Sequence, residues 1–155
     1  MTSSDWSRRQ SHRLLQVGMV VFLLALFTGL AVPSFAVPRL GLSTHLVGLM
    51  QSFFLLIAGL LWPRLGLSRR VARLGVILAI YGCSVAWTAN LLAAIWGAGA
   101  SMVPLAAGSA RGSAIQEMVI TIALMSAAVA LIAVTLLIIW GLRDSALEPA
   151  RPTAG

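Results

Sequence analysis

MVITIALMSAAVALIAVTLLIIW, residues Met118 to Trp140, runs for 23 positions without a charged side chain. About 20 apolar residues in a helix cross the roughly 30 Å hydrocarbon layer of a bilayer, whereas a spanning strand needs only about ten. Backbone polar groups in lipid must be satisfied within the segment, so a run of this length is a transmembrane helix. Working back along the chain, Leu74 to Trp96 forms a second such run. Leu46 to Trp62, closed by Pro63, and Leu14 to Val32, closed by Pro33, complete a set of four. The whole chain agrees with this reading: 59% of its 155 residues are hydrophobic and 10% are charged. Its mean hydropathy of +0.96 lies outside the soluble range. The first run has a basic start and an apolar core like a signal peptide, but no small-residue cleavage site follows, which argues for a retained helix. The expected fold is an all-α integral membrane four-helix bundle. One domain covers residues 14–142, between loose tails at 1–13 and 143–155.

Orientation follows from arginine, since the chain has no lysine. Arg8, Arg9, Arg13, Arg64, Arg69, Arg70, Arg73, Arg143 and Arg151 belong to one side; Arg39 and Arg111 belong to the other. The positive-inside bias places both termini in the cytoplasm, with Trp62 and Trp140 at the cytoplasmic interface and Trp96 at the opposite one. These arginines lie between apolar runs rather than in a stripe with aromatics, so the net charge of +7 does not point to nucleic acid. A single cysteine, Cys83, excludes an intrachain disulfide and a CxxC motif. The fragment GAGAS in the long connection from Gly97 to Gln116 resembles a nucleotide loop, but no strand precedes it.

Polar and small residues within spans mark helix contacts. His45, Gly48, Ser52 and Gly59 share a narrow sector of the second helix, with Gln51 about a third of a turn away. Gly75, Ala79, Gly82, Ala86, Asn90 and Ala93 stripe the third; Tyr81, Ser84 and Thr88 lie opposite, and this second polar face predicts an oligomer. Glu117, Thr121, Ala128 and Thr135 align on the fourth. Each has a plain structural reading. His45 is an interfacial residue near a helix start capped by Ser43 or Thr44; Glu117 favours a helix N-terminus; Gln51 and Asn90 are helix-to-helix hydrogen-bonders. The chain has no Ser-His-Asp set, no inward carboxylate pair, no HExxH and no phosphate loop, so hydrolysis and phosphoryl transfer find no machinery. An imidazole remains, and one imidazole suffices to hold haem iron with the opposite axial position open.

The stretch PRLGLSTHLVGLMQ (Pro38–Gln51) resembles the small membrane-bound hydroxylaminobenzene mutases. The similarity extends through TGLAVP (Thr28–Pro33), GLLWPRLGLS (Gly59–Ser68), the segment from Arg73 through Tyr81 to Trp96, ASMVP (Ala100–Pro104), Glu117 and WGLR (Trp140–Arg143). It departs at Val47, where an acid is expected, and at Gln51 and Ser52, where an asparagine and a glycine are expected. A fainter resemblance joins the same helices to styrene oxide isomerase. That resemblance implies a ferric haem b on His45, in a slot beside Gly48 and Ser52, with Gln51, six residues on, contacting substrate. It further implies a homotrimer with haem at the subunit interfaces. Where that family has a tyrosine in the third helix, this chain offers Asn90.

The implied reaction is isomerisation of an N-arylhydroxylamine to an ortho-aminophenol, with iron as Lewis acid. Gln51 and Asn90 would orient the polar end of a small aromatic substrate drawn from membrane lipid, and Glu117 would move a proton or cap its helix. The implied location is the bacterial inner (cytoplasmic) membrane. Three alternatives stand beside it: an aryl epoxide isomerase, a small multidrug transporter, and a noncatalytic assembly subunit. Such transporters rely on a glutamate deep in the first helix, where this chain has only Gln16 and Thr28.

Overall fold

A computed structural model describes residues 3–145. The described residues contain no strand and five helices: α1 (Ser3–Leu30), α2 (Pro38–Leu61), α3 (Arg69–Trp96), the single turn α4 (Pro104–Ala107) and α5 (Ala114–Ser145). Four of these are long and apolar enough to cross a membrane. Each outruns the apolar stretch that announced it. Once a helix is nucleated, its backbone remains satisfied through arginine, serine and threonine as readily as through leucine, so polarity alone does not end it. The segment before Leu14, expected as a loose tail, is therefore helical from Ser3; the carboxyl tail beyond residue 145 lies outside the described residues.

The early start of α2 has the largest effect on the site. Pro38 occupies its first turn, where a missing N–H costs nothing and a fixed φ suits the helix, and Val37 before it is extended. The helix thus begins eight residues before Leu46, and His45 lies two turns inside it. Ser43 and Thr44 consequently are not caps. The Thr44 hydroxyl donates within 2.8 Å to the carbonyls of Leu40 and Asn90, tying α2 to α3.

The long helices pack in series: α1 on α2, α2 on α3, and α3 on α5. Glycine permits the tight crossings. A Cβ at Gly82 would stand 2.8 Å from Leu131, and one at Gly59 would stand 2.9 Å from Leu15. The small-residue stripe of α3 is buried as its spacing predicts. The α5 stripe is different. Ile120, Ala127, Ala130, Val134, Ile138 and Gly141 are its buried residues among those described, whereas Ala128 and Thr135 are exposed. Thr135 donates to the Leu131 carbonyl one turn back, so its hydroxyl needs no partner across the bundle. Trp62 also departs from expectation. It is 2% exposed, a core residue whose indole N–H donates to Gln10 Oε1 at 2.9 Å, rather than an outward interfacial ring.

Because α5 takes its extensive contact from α3 alone, only 17% of its most apolar window is buried. The connection 97–113 folds over the ends of α2 and α3. Gly97 ends α3 in the left-handed region with φ 64°, and Ala98 N–H returns to the Ala93 carbonyl, a Schellman closure that requires little more than glycine.

Candidate active site

Near the α1–α2 connection, His45 turns toward α1 and its Nδ1 lies 2.8 Å from the Ala25 carbonyl. A carbonyl only accepts, so Nδ1 carries the hydrogen, and in the neutral ring Nε2 then presents a bare lone pair. Histidines that ligate metals are held in the same way, by a hydrogen bond from the other ring nitrogen to a carbonyl or carboxylate. Gly29 makes the room: a Cβ there would sit 2.7 Å from Nδ1 and 2.8 Å from Cε1. Leu26, Gly29, Leu30, Val32, Pro33, Leu42 and His45 line an open groove of about 530 Å³ on the outer side of these helices. Apart from the imidazole, its side chains are apolar.

The other expected site residues lie elsewhere. Six residues after His45, Gln51 is turned by about 120° around α2. It lines a separate groove of about 450 Å³ with Met50, Phe54, Leu131, Ile132, Thr135 and Leu136, between α2 and α5. Asn90 is buried at the α2–α3 contact, where its Nδ2 donates to the Ala86 carbonyl at 2.9 Å and its own carbonyl accepts from Thr44. Gly48 is the crossing point of three helices; a Cβ would stand 2.6 Å from Ala25 and 2.8 Å from Trp87. Ser52 is fully buried and its hydroxyl donates to the Leu49 carbonyl. One chain therefore does not gather His45, Gln51 and Asn90 around one cavity.

Glu117 is committed to the connection above α5. Its Oε1 accepts from the backbone N–H groups of Gly99 (2.9 Å), Gly112 (3.2 Å) and Ala100 (3.3 Å), and its Oε2 from that of Ser101 (3.4 Å). The helix start is capped instead by Ser113 and Gln116, each of whose side chains meets the other's backbone N–H, a reciprocal capping box. Glu117→Ala should leave α5 intact but loosen the connection. Hydrogen exchange at residues 99–101 and 112 should accelerate, with a loss of about 1–3 kcal/mol in stability; unchanged exchange would show that the carboxylate is not the clasp.

The residues that complete the His45 setting, Ala25 and Gly29, escape sequence reasoning. Gly29 stands in the TGLAVP block, but nothing in its spacing names the ring that it admits. Trp87 escapes as well. Its indole N–H is buried without an acceptor among the described residues, and its Cδ1 and Nε1 lie against Gly48, so Trp87→Phe should lower stability only by the cavity that the lost ring atoms leave, about 1–3 kcal/mol. A larger fall in the thermal unfolding temperature would reveal an acceptor.

Among the described residues there is no group of three or more His, Cys, Asp or Glu able to hold a metal ion. A metal held here would need other ligands besides His45, and a porphyrin supplies four nitrogens. The bare Nε2 and the apolar groove fit such a group, and Gly29 makes room for the imidazole that would hold it.

The family model described as styrene oxide isomerase matches residues 10–143. Two hydroxylaminobenzene mutases of Ectopseudomonas oleovorans are similar to the chain. HabB is 45% identical over 150 residues, covering 94% of this chain and 90% of that protein. HabA is 42% identical over 129 residues, covering 83% and 96%. No solved structure matches. Four apolar helices and these relatives define the class: a membrane-embedded isomerase. The chain belongs to the styrene oxide isomerase family, and over most of its length it is similar to hydroxylaminobenzene mutases.

Proposed function

We propose that this isomerase converts N-arylhydroxylamines such as hydroxylaminobenzene to 2-aminophenols, in the bacterial inner membrane with both termini cytoplasmic, using a ferric haem b held by His45. The observation that carries the reading is the His45–Ala25 hydrogen bond, which leaves Nε2 bare at an apolar groove. The mutase names of two relatives favour the hydroxylamine substrate. When bound, the haem supplies a Lewis acid for the oxygen that leaves nitrogen.

The reaction is redox-neutral. The N–O bond breaks, a C–O bond forms at the ortho carbon, and the proton lost from that carbon balances the one gained by nitrogen. The chain's own work is to hold and exclude. Leu26, Leu30, Val32, Pro33 and Leu42 receive the arene and keep out water, which would otherwise trap the electron-deficient ring. The Ala25 carbonyl fixes the imidazole. Gln51, an amide with both donor and acceptor, suits the polar end of the substrate, but its groove lies on the other side of α2. Association of copies, a trimer by the family resemblance, would bring the Gln51 groove of one chain toward the His45 groove of the next. The largely unburied face of α5 supports such an association.

Feeding detergent-purified protein both hydroxylaminobenzene and styrene oxide tests the assignment. Formation of 2-aminophenol without phenylacetaldehyde is the expected result; aldehyde alone would make the chain an aryl epoxide isomerase, the second reading, which the family model favours.

A further inference from the structure

The sector of α1 turned away from α2 carries a second feature. Arg8, Arg9, His12, Arg13 and Gln16 line a groove of about 520 Å³; the exposed Asp5 lies one turn before Arg8 and Arg9 on the same sector, outside the groove wall, so the arginines outnumber the acid three to one. At 100° per residue they share one sector, opposite the positions that face α2. Those inner positions are Ser11, whose hydroxyl donates to the Gly59 carbonyl at 2.7 Å, and the buried Leu14, Gly18, Val21 and Ala25. Farther along the same outer sector the side chains become apolar: Met19, Val20, Leu23 and Phe27 are 55, 57, 52 and 58% exposed.

A helix of 28 residues is about 42 Å long, about 12 Å longer than the hydrocarbon layer. The excess puts Arg8 and Arg9 among the headgroups, with Arg13 one turn deeper at the hydrocarbon edge, while Met19 to Phe27 run beside the acyl chains. A bias toward one side of the membrane requires arginines at that end, but it does not require them on the one sector of a helix that is turned away from α2. Charge and apolarity in this order along one face match one class of ligand.

We propose that this face binds an acidic phospholipid, its phosphate oxygens on the guanidinium groups of Arg8, Arg9 and Arg13 and its acyl chains along Met19, Val20, Leu23 and Phe27. Guanidinium donors in a fixed fork suit phosphate oxygens, and basic clusters beside a membrane span attract anionic headgroups. The same helix supplies Ala25 and Gly29 to His45, so a lipid seated here also fixes the depth of the helix that holds the imidazole.

Native mass spectrometry of the full chain, released from detergent with phosphatidylglycerol or phosphatidylcholine added, tests the site. The wild type should retain phosphatidylglycerol about tenfold better than phosphatidylcholine. Arg8→Gln/Arg9→Gln/Arg13→Gln should lose that preference, while Arg69→Gln/Arg70→Gln/Arg73→Gln, with equal charge removed, should keep it. Equal loss in both triple variants, retention in the first, or displacement of the lipid by millimolar inorganic phosphate would each overturn the proposal. If the first triple variant does not fold, Arg13→Gln alone should still lower the preference severalfold, and no change in it would have the same overturning force.

Discussion

If His45 holds the proposed haem, replacing it by alanine should remove the Soret band expected of the purified protein and lower turnover of hydroxylaminobenzene by more than about a hundredfold, the loss that follows from disturbing merely the second shell of a metal ligand. The reason is that His45 is the imidazole in the groove, and the described residues offer no cluster that would replace it. The measurement is a visible spectrum and a rate for the two proteins side by side. Structure should survive. His45 is half-buried and its one hydrogen bond is to a carbonyl already within α1, so circular dichroism of the variant should retain full helicity. An unchanged spectrum would take His45 out of the site and with it the haem reading, while the isomerase assignment would stand on its relatives.

Gly29→Ala should reproduce much of that loss without touching the ligand. The new methyl would lie 2.7 Å from Nδ1 and 3.2 Å from Cγ of the ring, closer than non-bonded carbon and nitrogen tolerate, so the imidazole must swing away from the Ala25 carbonyl. Cofactor affinity should fall by about ten- to a hundredfold, the usual consequence of misorienting a ligating histidine. Alanine in place of glycine also favours the helix itself by about 1 kcal/mol. Thermal stability should therefore hold or rise while binding falls. Nitrogen NMR of the imidazole supplies a readout independent of turnover, since loss of the Nδ1–H bond shifts the tautomer balance. A variant with wild-type binding and an unaltered tautomer would mean that the helices separate to admit the methyl.

How much of this was legible beforehand differs between the spans and the site. Helix count follows from run lengths, because lipid admits only self-satisfied backbone, and four long apolar helices are what the structure contains. Their ends are not legible in this way, because polarity does not terminate a helix: α2 starts at Pro38, not Leu46, which turns His45 from a residue at a helix start into one within the helix. Facing was legible on α3, where glycine and alanine are buried because only they allow close backbones. It is misleading on α5, where the Thr135 hydroxyl bonds back to its own helix and so reveals nothing about the partner side. The family resemblance named His45, Gln51, Asn90 and Glu117 together, yet the chain distributes them over different contacts.

The sequence by itself determined that this is a membrane protein of four helices, which polar residues it carries within them, and the family to which those residues belong. These properties depend on composition and on neighbours along one chain. Only the tertiary structure decided that Gly29 clears a place for His45, that the Ala25 carbonyl selects its tautomer, and that Glu117 is consumed by four backbone N–H groups. Those outcomes depend on contacts between residues far apart in the chain: 16 positions for Gly29 with His45, 20 for His45 with Ala25 and 18 for Glu117 with Gly99. Periodicity fixes a side chain's sector on its own helix but not what the neighbouring helix places against it.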